Sequence, residues 1–219
     1  MAKIEHQPLS DRAYQEIRKG LTTGHFAPMQ PLVIRTLAQN YGISATPIRE
    51  ALQRLVAERL LEVLPNRSIV VPLTTRKRFR ELFPIRGALE GLATELAVPH
   101  FTAEDKARLR KLFDRIAETT RSYDSQTYLK LNREFHFAIY EKAANPELLR
   151  LIQDMWLKVG PVFTGLFNDD HYRLHANDEH QHILEAIMRD DAATARRAME
   201  QDLYLAAESL LPHLGDDEG

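Results

Sequence analysis

The chain has 219 residues, of which 44% are hydrophobic and 27% charged, and its net charge is −2. These values are typical of a globular protein that can bury a core, and they exclude disordered, collagen-like and coiled-coil chains. Cysteine is absent, which excludes disulfide frameworks, thiolate nucleophiles and cysteine-ligated zinc. The N-terminus lacks a signal-peptide pattern and no apolar run approaches membrane-spanning length, so we expect a soluble, cytoplasmic protein.

Charge is unevenly distributed along the chain. Residues 1–78 contain 12 Lys and Arg against 6 Asp and Glu, whereas the other residues contain 17 against 25. A basic first third followed by an acidic remainder indicates a module that binds a polyanion, joined to a domain with another task. The alternative is chance segregation of charge on solvated faces.

The basic third reads as three helices and a hairpin. Apolar spacing predicts helices over Leu9 to Thr22 and Ile34 to Tyr41, and Gly42 ends the second. Thr46 suits an N-cap and Pro47 the first position of a third helix of about four turns. Residues 60–64 and 69–71, separated by a polar turn, predict a small β-hairpin.

From Thr75 onwards the pattern is helical without strands. A proline at position 84 is expected to kink or divide the first of these helices. Thr102 and Asp105 have the spacing of a capping box. The expected boundaries are about 75–100, 102 onwards, 125–143, 148–167 with an interruption at Gly160-Pro161, 173–188 and 192–211. Six to seven helices with short loops make an all-α antiparallel bundle.

This arrangement predicts a mainly α protein with an N-terminal winged helix-turn-helix, in which the hairpin is the wing. The second helix of such a motif enters the DNA major groove, and its N-terminus can bind phosphate. The alternative is a helical hairpin that packs against the bundle. The residues expected at the DNA are Arg35, Ser44, Ala45, Thr46, Pro47, Arg49, Gln53 and Arg67.

Two sets of motifs resemble known families. The run from Leu37 to Leu55, LAQNYGISATPIREALQRL, resembles the signature of GntR-type transcription regulators. The acidic part resembles the helical FCD effector domain of the FadR-type subgroup, through Arg86-x-x-Leu89-Glu90, Asn132-x-x-Phe135-His136 and His180-x-x-Ile183-x-x-Ala186-Ile187. The resemblance covers residues 9–211. It implies a homodimer that binds a palindromic DNA operator with an affinity altered by a small ligand.

One position departs from the GntR pattern. The family usually has a basic residue, which often reads a guanine, where this chain has Ala45. Loss of a bidentate base contact removes about 1–3 kcal/mol of discrimination. We therefore expect an operator that differs from the family's commonest one.

Four polar residues of the predicted bundle are expected to meet in its interior. Asn132 and His136 are four apart and share a helix face. His180 lies ten residues before Asp190 and Asp202 twelve after it, so an antiparallel hairpin turning there brings them to similar heights. Two imidazoles, a carboxylate and an amide oxygen suit zinc, nickel or manganese. The alternative is that the histidines are hydrogen-bonded core residues.

The resemblance both supports and alters this metal site. It implies an aspartate where this chain has Asn132 and a histidine where it has Asp202. The ligand set is therefore rearranged with its charge preserved.

Arg86 is the expected effector-binding residue, as a bidentate clamp for a carboxylate metabolite. A structural ion pair with Glu90, four residues on, is the alternative.

The domains expected from these patterns are a DNA-binding domain over residues 1–74, an effector and dimerisation domain over 75–214, and a disordered tail over 215–219. The expected function is that of a transcription regulator, with repression favoured over activation, no enzymatic activity and no membrane partner. A bundle that only dimerises is the first alternative. A metal-dependent hydrolase is the second, and no catalytic motif supports it.

Overall fold

The computed structural model describes residues 8–122, 124–163 and 177–215, without the side chains of residues 120–122 and 125. The chain divides into two compact units, Met1–Leu73 and Thr74–Gly219. Within the described residues, no helix is both long and apolar enough to cross a bilayer.

The first unit contains three helices and a two-stranded antiparallel sheet. The elements are α1 (Leu9–Thr22), α2 (Ile34–Tyr41), α3 (Ala45–Ala57), β1 (Glu62–Val63) and β2 (Ile69–Val70). Each helix buries one apolar face. On α1 this face includes Ile17 and Leu21, and on α3 it includes Ile48, Leu52 and Leu55. Gly42 ends α2 at φ 64, a left-handed conformation that glycine adopts without strain.

The start of α3 corrects the expected cap. The helix begins at Ala45 after Ser44, whose backbone is extended and whose side chain makes no capping hydrogen bond. Thr46 is therefore not the N-cap, and Pro47 is the third helical residue. The proline is tolerated there because the first four N–H groups of a helix have no partner within it.

The hairpin is shorter than expected and is extended by a third segment. Glu62 pairs with Val70 and Val63 with Ile69. The loop before α2 adds to β2, since Pro31 forms an isolated bridge with Val70 and the Leu32 N–H donates to the Ile69 carbonyl over 2.8 Å. The wing is thereby joined to the segment that leads into the helix-turn-helix.

The second unit is a helical bundle. Its described helices are α4 (Arg76–Ala97), α5 (Ala103–Ser122), α6 (Ser125–Tyr140), α7 (Pro146–Val159), α8 (Asp178–Met188) and α9 (Ala192–Leu210). Short 3₁₀ turns follow α4, α6, α7 and α9. The predicted fold class, a winged helix-turn-helix followed by an all-α bundle, is confirmed.

Local signals start most of these helices. Asp124, Asn145 and Asp191 each accept a hydrogen bond from the backbone N–H three residues on. The predicted capping box is confirmed, since Thr102 and Asp105 exchange hydrogen bonds over 3.1 and 3.2 Å.

The expectations for α4, α7 and α8 have different outcomes. Helix α4 continues through Pro84, which does not divide it; an internal proline removes one backbone hydrogen bond, and packing on α7 and α9 retains the helix. Helix α7 ends at Val159, at the interruption expected at Gly160-Pro161, and residues 160–163 form a 3₁₀ turn; the expected continuation to Phe167 lies outside the described residues from residue 164 on. Helix α8 is described only from Asp178, because residues 164–176 lie outside the described part.

The expected tail also needs correction at its first residue. Gly215 is ordered by a bridge to Thr75, and its carbonyl accepts the Arg76 N–H over 3.3 Å. Residues 216–219 lie outside the described residues.

Helix α4 is the central element of the bundle. It packs along α9 and also contacts α6 and α7. Helices α8 and α9 pack against each other across the connection at Arg189–Asp191, and α5 packs on α6 and α8. This packing buries four polar side chains from α4, α6 and α8: Arg86, Glu90, His136 and His180.

Candidate functional site

The predicted DNA-contacting residues lie on the outer surface of the first unit. Pro47 is half-buried, and the other seven side chains are exposed: Arg35, Ser44, Ala45, Thr46, Arg49, Gln53 and Arg67. The apolar stripe of α3 occupies the opposite face. The face that carries Thr46, Arg49 and Gln53 is therefore available to a duplex.

A groove runs between α2 and the start of α3. Its lining includes Arg35 from α2, Ser44 and Ala45 from the turn, and Arg49 from α3. Two guanidinium groups and the unpaired N–H groups of a helix N-terminus thus border one concave surface. Both are groups that bind phosphate and base edges.

Arg67 occupies the tip of the hairpin. Its φ of 66° is left-handed, and the turn is closed by its N–H, which donates to the Leu64 carbonyl over 2.8 Å. The turn projects an exposed guanidinium, as a wing requires.

The bundle brings three of the four predicted metal ligands together. His136 from α6, His180 from α8 and Asp202 from α9 each offer one ligand atom, and these atoms lie within 4.8 Å of one another. The two Nε2 atoms are 3.2 Å apart, and each is 3.5 Å from one Asp202 carboxylate oxygen. Ligand atoms that are each about 2.1 Å from a tetrahedral ion lie about 3.4 Å apart. The residues present therefore fit a divalent ion.

Burial sets the protonation of these groups. The pKa of His136 is well below its usual value because of burial, then the neighbouring His180 and Arg86. Burial lowers the pKa of His180 to about 4. The pKa of Asp202 is raised to about 8 by burial, with Glu90 and Glu179 adding to it against Arg86. Both imidazoles are thus neutral, as a metal ligand must be, while Asp202 is held protonated until a cation favours its charged form.

The fourth predicted ligand, Asn132, lies one turn before His136 on α6 and is half-buried. Among the described residues, no hydrogen bond joins its side chain to the other three.

The Arg86 guanidinium is not free to bind a carboxylate effector in the way that the predicted bidentate clamp requires. Its Nε donates to Glu90 Oε1 over 2.7 Å and its Nη2 lies 3.4 Å from Oε2, with both side chains buried. The ion-pair alternative is therefore what the structure contains. The Arg86 Nη1 is buried and has no hydrogen-bond partner within the described part of the chain. It lies among aromatic rings, with the guanidinium carbon 5.0–5.2 Å from the centroids of Phe83, Trp156 and Phe163.

Two buried aromatic residues beside these side chains, Tyr140 and Trp156, have polar roles. Tyr140 donates to Glu90 Oε2 over 2.5 Å and lies 2.9 Å from His136 Nδ1. The indole of Trp156 donates to the same Glu90 oxygen over 3.0 Å. The spacing of four between His136 and Tyr140 was the available signal for the first role; nothing in the sequence links Trp156 to Glu90.

Comparison with known families accounts for both units. Residues 9–71 match the gntR family of bacterial regulatory proteins, and residues 81–204 match the FCD domain.

Similar proteins of known class extend over nearly the whole chain. The HTH-type transcriptional regulator McbR of Escherichia coli K12 is 30% identical over 202 residues, 91% of each chain. The HTH-type transcriptional repressor GlaR of the same organism is 24% identical over 204 residues, 87% of this chain and 90% of GlaR. The solved structure of E. coli McbR/YncC superposes with a TM-score of 0.87 at 27% identity and covers 95% of this chain and 99% of that one.

Proposed function

This chain belongs to the GntR family of bacterial regulatory proteins and carries an FCD domain, and we propose that it is a repressor whose affinity for a DNA operator depends on a small carboxylate bound in the bundle. DNA-binding regulation, and not catalysis, is the task of the family and of its similar proteins. Repression is supported by the similarity to GlaR, which is a transcriptional repressor. We place its action in the cytoplasm, where its DNA is.

We propose that the exposed face of α3 contacts the operator bases, together with Arg35 and the wing. The observation that carries this proposal is the exposure of Thr46, Arg49 and Gln53 opposite the buried stripe. Arg49 and Gln53 have the chemistry to bind guanine and adenine edges, and Ser44 and Thr46 to bind phosphate. Ala45 supplies no such contact, so Arg49 has a larger share of the specificity.

We propose that the bundle holds a divalent ion, zinc, nickel or manganese, on His136, His180 and Asp202, with Asn132 as a fourth candidate. When bound, the ion would supply a positive centre for a carboxylate effector. Arg86 contributes at most its Nη1, because Glu90 occupies the other side of the guanidinium.

Metal content tests this proposal directly. Protein purified without a His-tag is expected to contain a divalent ion, and His136→Ala and His180→Ala are expected to lose it, since each removes a ligand. The measurement is elemental analysis of dialysed protein. His182→Ala is the matched control, because that imidazole is exposed and contacts Glu179 instead. Absence of metal from the parent protein, even after incubation with zinc, would refute the site.

A homodimer fits the two-fold symmetry of operators. Helix α4 supports it with exposed apolar side chains at Ile85, Leu92 and Leu96, whose spacings of seven and four place them on one face.

Effector binding is tested by thermal unfolding followed by gel shifts. Lactate, succinate and citrate, each with and without zinc, are suitable first probes. A recognised carboxylate is expected to raise the unfolding temperature by mass action and to change operator affinity. His136→Ala is expected to lose both effects. If a wide screen of carboxylates stabilises nothing, the alternative, a bundle that only dimerises, replaces the sensor.

A further inference from the structure

The hydrogen bonds around the metal-ligand histidines have a direction that can be worked out. Glu90 is fully buried and is approached only by donors in the described structure: Arg86 Nε, the Tyr140 hydroxyl and the Trp156 indole N–H. A group surrounded by donors, one of them a guanidinium, is an ionised carboxylate that only accepts.

The tyrosine hydroxyl has one hydrogen to give. Its possible acceptors are Glu90 Oε2 at 2.5 Å and the Met199 thioether sulfur at 3.3 Å. The carboxylate takes it, because a thioether is a weak acceptor. Towards His136 Nδ1, 2.9 Å away, the Tyr140 oxygen has only lone pairs left and must accept. His136 therefore carries its proton on Nδ1, and its Nε2 is a bare lone pair.

The second histidine is oriented in the same sense by a different partner. His180 Nδ1 lies 3.1 Å from the amide oxygen of Asn177, which only accepts. Its Nε2 is also a lone pair. The two Nε2 atoms face each other at 3.2 Å beside Asp202, an arrangement that repels unless an electrophile is shared between them.

We propose that Tyr140, anchored by Glu90, is the positioning residue that holds His136 in the Nδ1–H tautomer, so that the Nε2 lone pair points at the cation site. Asn177 performs the same task for His180. This inference rests on the proposed metal site, but the tautomer it assigns is a property of the metal-free protein. Partners of this kind, which bind the far nitrogen of a ligand histidine, typically change metal affinity about 10–100-fold.

Glu90 also connects this site to Arg86. The carboxylate that anchors Tyr140 through Oε2 pairs with the Arg86 guanidinium through Oε1. One buried anion thus orients both Tyr140, beside the proposed cation site, and the Arg86 guanidinium.

The test is Tyr140→Phe, which removes the hydroxyl and retains the ring. In metal-free protein at pH 8, long-range ¹H–¹⁵N spectra of the imidazoles are expected to show His136 protonated on Nδ1 in the parent. In the variant we expect the Nε2–H form in a substantial fraction. Zinc affinity, measured by competition with a chelating dye, is expected to fall about 10–100-fold.

Tyr14→Phe is the matched control. Tyr14 is equally buried and also donates to a carboxylate, that of Glu58 over 2.6 Å, but it belongs to the first unit. This variant is expected to leave both readouts unchanged.

Two results would overturn the inference: an Nδ1–H tautomer that persists in Tyr140→Phe, or a tautomer change without loss of zinc affinity. A fall in affinity with the tautomer unchanged is the first of these and would indicate a merely structural role. If the parent protein binds no zinc, the metal proposal fails, while the tautomer spectra still decide whether Tyr140 sets the state of His136.

Discussion

Replacing Arg49 by alanine is expected to weaken binding of the operator in a gel shift by a factor of about 5–150. Arg49 is exposed at the start of α3, on the face opposite Ile48 and Leu52. A bidentate contact from arginine to guanine contributes about 1–3 kcal/mol, a factor of about 5–150 in affinity. The fold is expected to persist, because an exposed side chain is removed and the buried stripe is retained.

The operator for this measurement comes from genomic footprinting of the purified protein. Arg108→Ala is the matched control, since it removes the same charge from an exposed arginine that pairs with Glu104 in the bundle. Unchanged affinity in Arg49→Ala, with a circular dichroism spectrum like that of the parent, would contradict the proposal that α3 recognises the operator.

Asp202→Asn is expected to stabilise the metal-free bundle while it destroys the metal response. The folded pKa of Asp202, about 8, lies above its usual value of 3.8. The folded state therefore holds a proton that the unfolded state has released, and this contribution to stability is lost as pH rises from about 4 to 8. Asparagine has no charge to bury, so its advantage over the parent should grow with pH, by at most about 1.4 kcal/mol per pH unit.

The pH profile of the parent alone would mix this effect with that of the histidines. His180, with its pKa lowered to about 4, works in the opposite direction, because the unfolded imidazole gains a proton below about pH 6.5. The difference between parent and Asp202→Asn isolates the carboxylate.

Thermal unfolding of the second unit provides the measurement, since Trp156 is the single tryptophan of the chain and is buried there. In a chelator at pH 8, each kcal/mol gained is expected to raise the midpoint by about 2–4 °C. Zinc at about 100 times its dissociation constant should stabilise the parent by about 2.7 kcal/mol and the variant far less. The advantage of the variant over the parent is thus expected to shrink on adding zinc, by up to about 2.7 kcal/mol.

Glu208→Gln is the control for that experiment, since it neutralises an exposed carboxylate on the same helix. A variant that is less stable than the parent in chelator, or that zinc stabilises equally, would contradict the assigned burial and role of Asp202.

The DNA-binding half was predictable because its signals are local. Apolar spacing placed α1 and α2 at the residues where they occur, and Gly42 marked the end of α2 through a backbone conformation that few other residues adopt. The error at α3 was also local: Ser44, Thr46 and Pro47 all favour a helix start, and sequence spacing does not rank them.

The cluster of His136, His180 and Asp202 was predictable in part by counting along helices. The spacing of His180 and Asp202 about a turn near Asp190 correctly placed both at one height, because two antiparallel helices rise equally per residue. Counting residues does not show how closely side chains approach one another. It therefore gave no reason to separate Asn132 from His136, His180 and Asp202.

The amino-acid order was enough to establish the elements, their apolar faces and the chemical type of each ligand, since these depend on neighbours within a few residues. The pairing of Arg86, Tyr140 and Trp156 on the single carboxylate of Glu90 joins positions up to 66 residues apart. Such a network arises from how α4, α6 and α7 pack, because a buried polar group is stabilised by a hydrogen-bond partner on whichever neighbouring helix presents one.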